Sequence, residues 1–335
     1  MRVVIEKYTI PIIWLDTFVI IRMTKLECGE TLSNEDWERY NWFYQKLHEK
    51  ISQEKILCPQ ADQNEEIEYG QRLEKECHRT QVRLSLGVRF KHRLEIETSQ
   101  RVKMMDAYVK GKDEVTYSVE DAFCEDPLET MRQAKSSGLI TTAFMKPRLK
   151  QLKMEREAKY RTIAMLEDLR KEKIFEGVNF ENQLEEEYLG MIQAGNYAIW
   201  NCLSKMKAGI TLNYNDYSQL EIIMQPYTEW QRLKGQPPGL DGLYAFLNSD
   251  EYKMIPSIDI YAKLSAEIIT GNSKIQSGDA MDIKQLSAII PYSDYVVTDK
   301  KMKNRLVKLG IDKKYGTKIF YIGDLEELIE ILDSL

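Results

Sequence analysis

The sequence predicts an α/β fold in which both chain ends build one mostly parallel central sheet, interrupted by a large all-α insertion. Three observations carry this. Short apolar runs alternate with helix-patterned segments at the two ends, the middle is patterned almost wholly as helix, and the Gly-bearing piece 271–278 marks the return to the sheet-forming part. Strands separated by helices of this length need crossover connections, so their neighbours in a sheet run parallel.

Residues 11–15 (PIIWL) are apolar without alternation, as expected of a parallel strand covered on both faces, and Asp16 stands at the carboxyl end. Residues 33–50 open with Ser33 followed three residues later by Asp36, a capping pattern. Trp37, Tyr40, Phe43, Tyr44 and Leu47 then recur at helical spacing, which gives an amphipathic crossover helix. Residues 55–58 (KILC) predict a second short strand closed by Pro59, and a helix resumes at Gln63 with Glu65 and Glu66. At the other end, residues 280–290 have helical spacing stopped by Pro291, and residues 295–297 (YVV) form a β-branched strand, with Asp299 just beyond it. A helix over 300–309 is closed by Gly310, a strand follows at 318–322 (KIFYI), and a last helix runs from 324 to 335.

Between the ends, long helix-forming stretches dominate, for example 145–173 and 182–208, and no internal repeat is present. Breaks fall at 234–242 (KGQPPGLDG) and 271–278 (GNSKIQSG). The predicted organisation is therefore a core from 1–67 and 272–335 around a helical insertion over 68–271.

The 335 residues are 43% hydrophobic and 30% charged, ample for a sizeable core. The formal charge of −6 excludes a uniformly basic nucleic-acid coat and leaves room for a local basic surface. Cys28, Cys58, Cys77, Cys124 and Cys202 are scattered without C-x-x-C spacing, so reduced thiols and a cytoplasmic location are expected. The most apolar stretch, residues 9–20, is shorter than the ~20 residues a bilayer-spanning helix needs. It also contains Asp16, and the first residues lack the signal-peptide pattern. No membrane association is expected, and the mature chain is expected to begin at Met1. Phosphate-loop, dinucleotide and serine-elbow motifs do not occur. His48, His78 and His92 lack metal-ligand spacing, and the five tryptophans are expected in the core.

In an open parallel sheet, functional groups gather beyond the carboxyl ends of the strands. Asp16 ends the first strand, Glu66 lies on the helix after the second, Asp282 begins the helix before residues 295–297, and Asp299 ends that strand. Converging carboxylates raise one another's pKa unless a cation neutralises them, and Mg²⁺ or Mn²⁺ suits an all-oxygen set. Taken singly, Asp16 and Asp299 also suit helix N-caps, Glu66 a solvated helical acid and Asp282 a first-turn acid.

LDT at 15–17, the acid-bearing stretch ILCPQADQNEEIE and the spacing DIKQLSAIIPYSDYVVTD together resemble the PIN-like metal-dependent nucleases. The resemblance covers residues 11–66 and 278–335 and leaves the middle uncovered. It implies Asp16, Glu66, Asp282 and Asp299 as catalytic and metal-binding acids, with Thr298 in the family's threonine position. Glu65 or Glu68 can replace Glu66, and Asp279 can replace or supplement Asp282. The implied activity is endonucleolytic hydrolysis of phosphodiester bonds with Mg²⁺ or Mn²⁺, with RNA ahead of DNA as substrate.

Residues 72–112 hold eleven basic and five acidic residues, a local +6. Arg72, Lys75, Arg79 and Arg83 recur at three- or four-residue spacing on one helix face just after Glu66, where they can hold a phosphate backbone or serve simply as solvated surface. The helical insertion also offers room for a protein partner. The alternative from another class is a helical interaction or nucleic-acid-binding protein with a degenerate core.

Overall fold

A computed structural model of the chain describes residues 1–30, 33–63, 73–138, 149–276 and 278–335. The protein is mostly helical, with five short strands among the described residues: β1 (Arg2–Ile5), β2 (Ile13–Leu15), β3 (Glu114–Tyr117), β4 (Tyr295–Val297) and β5 (Lys318–Phe320). Two compact units emerge. One contains residues 1–4, 97–116 and 169–273, and the other residues 5–96, 117–168 and 274–335. Among the described residues no helix is long and apolar enough to cross a membrane.

The unit that holds most of both chain ends is organised on a three-stranded sheet of order β2-β4-β5. Both pairings are parallel, with Ile13 opposite Tyr295, Leu15 opposite Val297, and Val297 opposite Phe320. Strand β2 is buried along its whole length, which is why its sequence does not alternate. The helix Thr17–Glu27 packs on Asn34–Ser52 and Glu74–Ser85, and the last helix, Leu325–Ser334, packs on Asn34–Ser52. Buried Val19, Met23, Phe43, Leu47, Leu328 and Leu332 supply much of this core. Ser33 caps its helix as the sequence predicts, its hydroxyl accepting from the Asp36 N–H at 3.2 Å.

Three local expectations are corrected. The strand predicted at 55–58 contracts to a single parallel bridge between Ile12 and Leu57, because Pro59 has no N–H to continue a ladder and Gln60 pairs instead with Arg89. Strand β5 ends at Phe320, where Tyr321 turns into a 3₁₀ segment, its N–H donating to Asp324 Oδ2 at 3.2 Å. A two-stranded sheet of β1 and β3 forms where none is predicted, and β3 puts a strand inside the stretch expected to be all-α.

The other unit is helical over residues 169–273. Its helix Phe180–Lys207 packs on Tyr214–Arg232 and on Pro256–Thr270. Gly195 sets the closeness of the first pair, since a Cβ there would lie 2.8 Å from Ile223 Cβ. Trp230, Leu243, Phe246, Ile260 and Leu264 are buried in this core. The break expected at 234–242 is seen only as far as Gly239, between the helices Tyr214–Arg232 and Leu240–Leu247; residues 240–242 already belong to the second helix.

Candidate acidic site

Parallel pairing of β2 with β4 carries the residues after each strand to the same edge of the sheet. The Asp16 N–H donates to Val297 O at 2.9 Å, continuing the ladder one residue beyond β2. Asp16 then caps the helix Thr17–Glu27, Oδ1 accepting from the Phe18 N–H at 3.3 Å. Its Oδ2 accepts from the Thr298 hydroxyl at 2.8 Å, a bond between residues 282 apart in the chain. Thr298 is fully buried and Asp16 nearly so.

Asp299 follows directly and caps the helix Lys300–Lys308. Its Oδ1 accepts from the N–H groups of Lys301 at 2.7 Å and Met302 at 3.0 Å. No hydrogen bond to its Oδ2 is made by the described residues, and the side chain is half-buried. Asp16 and Asp299 therefore serve as the helix caps their positions allow and also stand on neighbouring strand ends. Both are hard oxygen donors of the kind Mg²⁺ and Mn²⁺ take.

The third region is occupied differently from expectation. Asp279, 1% exposed, pairs with Lys301 Nζ and Arg305 Nη1, each at 3.1 Å, and its Oδ2 also accepts from the Gln276 N–H at 2.9 Å. This carboxylate ties the first turn of Asp279–Ile289 to the helix that Asp299 caps, and its charge is balanced by two cations. Asp282, one turn on, sits beside Gly278, where an added Cβ would lie 3.2 Å from its Oδ2. Glu65, Glu66 and Glu68 lie outside the described residues. Among the described residues, no three His, Cys, Asp or Glu side chains form a group that could hold a metal ion.

Gln63 is a residue that sequence reasoning misses. Its Nε2 donates to Leu15 O at 2.6 Å, and its Oε1 accepts from the Ala61 N–H at 2.6 Å and Gln81 Nε2 at 3.1 Å. Buried to 1% exposure, it fastens the segment after the Leu57 bridge to the end of β2, immediately before Asp16. Only its place between an apolar run and a run of acids marks it in the sequence.

On the predicted basic face, Arg72 lies outside the described residues. Lys75 and Arg79 are exposed on the helix Glu74–Ser85. Arg83 is engaged, its Nη1 lying 2.7 Å from Glu27 Oε1. Glu27 also accepts from the hydroxyls of Thr80, at 2.5 Å, and Tyr44. Burial pushes the Glu27 carboxyl up, but these hydrogen bonds and the Arg83 charge outweigh it and hold the group below the usual range. Arg83 thus fastens two helices.

The tryptophan expectation holds for Trp14 and Trp230, both 1% exposed. It fails for Trp37, Trp42 and Trp200, which are 46%, 47% and 66% exposed on solvent-facing sides of their helices. No protein-family model, curated protein or solved structure matches this chain.

Proposed function

We propose that this chain is a metal-dependent endonuclease with a PIN-like core that hydrolyses phosphodiester bonds in RNA. The observation that supports it is the meeting of Asp16, Thr298 and Asp299 at one sheet edge. Asp16 and Asp299 supply oxygen ligands from two strand ends, and in this reading Glu66 and Asp282 complete the set. Mg²⁺ or Mn²⁺ held there would supply a nucleophilic water and neutralise the charge that grows on the phosphoryl oxygens. The chain's own part is preorganisation. Thr298 orients Asp16 through Oδ2, the two helix caps fix the other carboxylate oxygens, and Gln63 holds the backbone below Asp16. Lys75 and Arg79 hold phosphates of the bound strand.

RNA is preferred over DNA by the resemblance alone, and both polymers follow the same chemistry. The test is incubation of the purified chain with mixed pools of single-stranded RNA and DNA, with Mn²⁺ and with EDTA. Mn²⁺-dependent shortening of RNA is expected. Intact pools under every condition overturn the nuclease reading.

A second reading is supported by the cap bonds of Asp16 and Asp299, which give both acids structural employment. In it the PIN-like core binds nucleic acid or a protein without cutting, and the same assay returns retained but intact RNA.

A further inference from the structure

We propose that the exposed lysines of the helix Lys300–Lys308, of the short helix Ile311–Tyr315 and at the start of β5 hold the phosphate backbone of single-stranded RNA where it runs on from Asp299. This rests on the endonuclease reading, which supplies the substrate. Residues 300–318 contain eight basic residues and one acid, Asp312, in a chain whose net charge is −6. Lys301 and Arg305 bind Asp279, and Lys303 binds Asp324. The other five, Lys300, Lys308, Lys313, Lys314 and Lys318, are all exposed. The helix Lys300–Lys308 buries Met302 and Leu306 and leaves Lys300, Asn304, Val307 and Lys308 to solvent.

This concentration of one sign departs from how the chain places cations elsewhere. Arg39, Lys110 and Arg232 each pair with an acid three or four residues away on the same helix. From Lys300 to Ile311 the sequence has no Asp or Glu, so no such pair can form within that helix. Like charges held this close repel one another. A polyanion relieves that repulsion and gains further by releasing the counterions condensed on its own backbone.

The fold gives the charge a direction. Asp299 caps the amino end of the helix, at the sheet edge where Asp16 meets Thr298. Nine residues at ~1.5 Å each then carry the helix about 13 Å away from that cap. The helix packs on β5 and on Ile311–Tyr315, and Lys318 opens β5 opposite Tyr295, at the other edge of the sheet. Basic residues therefore run from the candidate site to the far edge. At the near end, the ammonium groups of Lys300 and Lys303 each lie 5.5 Å from the centre of the Tyr321 ring, which engages that ring with cations. Lysine is a compact point charge, suited to phosphate oxygens spaced along a strand. An acidic protein would meet the same charge, but only a nucleic-acid strand accounts for a track that begins at the phosphodiester-cleaving centre.

Fluorescence anisotropy of labelled poly(U) with the full chain in EDTA, over a range of salt, tests this. The triple variant Lys308→Gln, Lys313→Gln, Lys318→Gln should lower the slope of log K against log salt by about 2 and weaken binding about tenfold or more at ~0.15 M salt. Arginine at the same three positions keeps the charge and should keep both. Thermal melts check the fold, and if the glutamine variant melts lower, Lys313→Gln alone should lower the slope by about 0.7. An unchanged slope in a folded glutamine variant overturns the track, even where the wild type cuts RNA with Mn²⁺. A lowered slope in a chain that cuts nothing keeps the track and removes the nuclease. A wild type that binds no poly(U), or that binds a poly-glutamate peptide of equal length more tightly, also overturns the proposal.

Discussion

Asp16 and Asp299 each cap a helix and, under the nuclease reading, each also holds the ion, two demands that a single substitution can separate. Asn caps helices about as well as Asp, so Asp16→Asn and Asp299→Asn should keep stability within ~0.5 kcal/mol while removing a charged ligand. Under the nuclease reading, Mn²⁺-dependent cleavage should fall by about 100-fold or more in each. Cleavage at wild-type rate in both variants would remove these residues from the site. Thr298→Val, which deletes only the bond to Asp16 Oδ2, should cost ~10–100-fold in the same assay. Lys7 carries a different residue-level prediction. Its Nζ donates to Ser293 O at 2.6 Å and Thr317 Oγ1 at 3.1 Å, and burial lowers its pKa from 10.5 to about 8 against the opposing pull of Asp294. Between these two values the unfolded chain binds more protons than the folded one, so this group's contribution to stability rises with pH across that window. In thermal melts from neutral pH to pH 10.5, Lys7→Met should therefore remove an upward component of Tm that the wild type shows. Parallel curves for the two proteins would contradict it.

At the scale of elements, the helix Glu74–Ser85 divides its basic residues between two tasks. Lys75 and Arg79 face solvent, whereas Arg83 is committed to Glu27. Replacing Lys75 and Arg79 by Gln should lower the slope of log K for single-stranded RNA against log salt by about 1.4, with Tm unchanged. Arg83→Gln should instead lower stability by under ~1 kcal/mol, since the Arg83 side chain is largely exposed and Glu27 keeps its bonds from Thr80 and Tyr44. An unchanged salt slope in the double variant would make this face ordinary solvated surface. What the sequence discloses about the elements follows the same division between local and tertiary causes. Strands β2 and β4 are legible because burial on both faces leaves unbroken apolar runs, and the cap of Asn34–Ser52 is legible because Ser33 and Asp36 bond within one turn. Strands β1 and β3 escape notice because their residues, RVVI and EVTY, are partly exposed and depend on each other as pairing partners. The acids of the site are visible as types at strand ends, but Asp279's pairing with Lys301 and Arg305 is tertiary and has no sequence signature.

For the whole molecule, the governing fact is that β4 lies between β2 and β5, so the sheet cannot form from either end of the chain alone. Deleting everything after Gly278 removes both β4 and β5. It leaves Ile13, Trp14 and Leu15, each at most 1% exposed in the full chain, without the strand that covers them. Exposing side chains of this size costs ~1.5–3 kcal/mol apiece, comparable in sum to the whole stability of an ordinary domain. The bare edge of β2 also becomes a template for pairing with other chains. The 1–278 fragment is therefore expected to be insoluble or to unfold without a cooperative transition. Under the nuclease reading, Mn²⁺ should raise the Tm of the full chain, because Asp16 and Asp299 stand at one sheet edge and an ion bound only by the folded form stabilises the unit they share. Asp16→Asn should reduce that increase as much as Asp299→Asn does, although the two residues come from opposite ends of the sequence. A soluble 1–278 fragment that unfolds cooperatively and gains the same Mn²⁺-dependent Tm increase as the full chain would show that Asp299 is not part of the ion's site, and the nuclease reading would lose the pair of acids on which it rests.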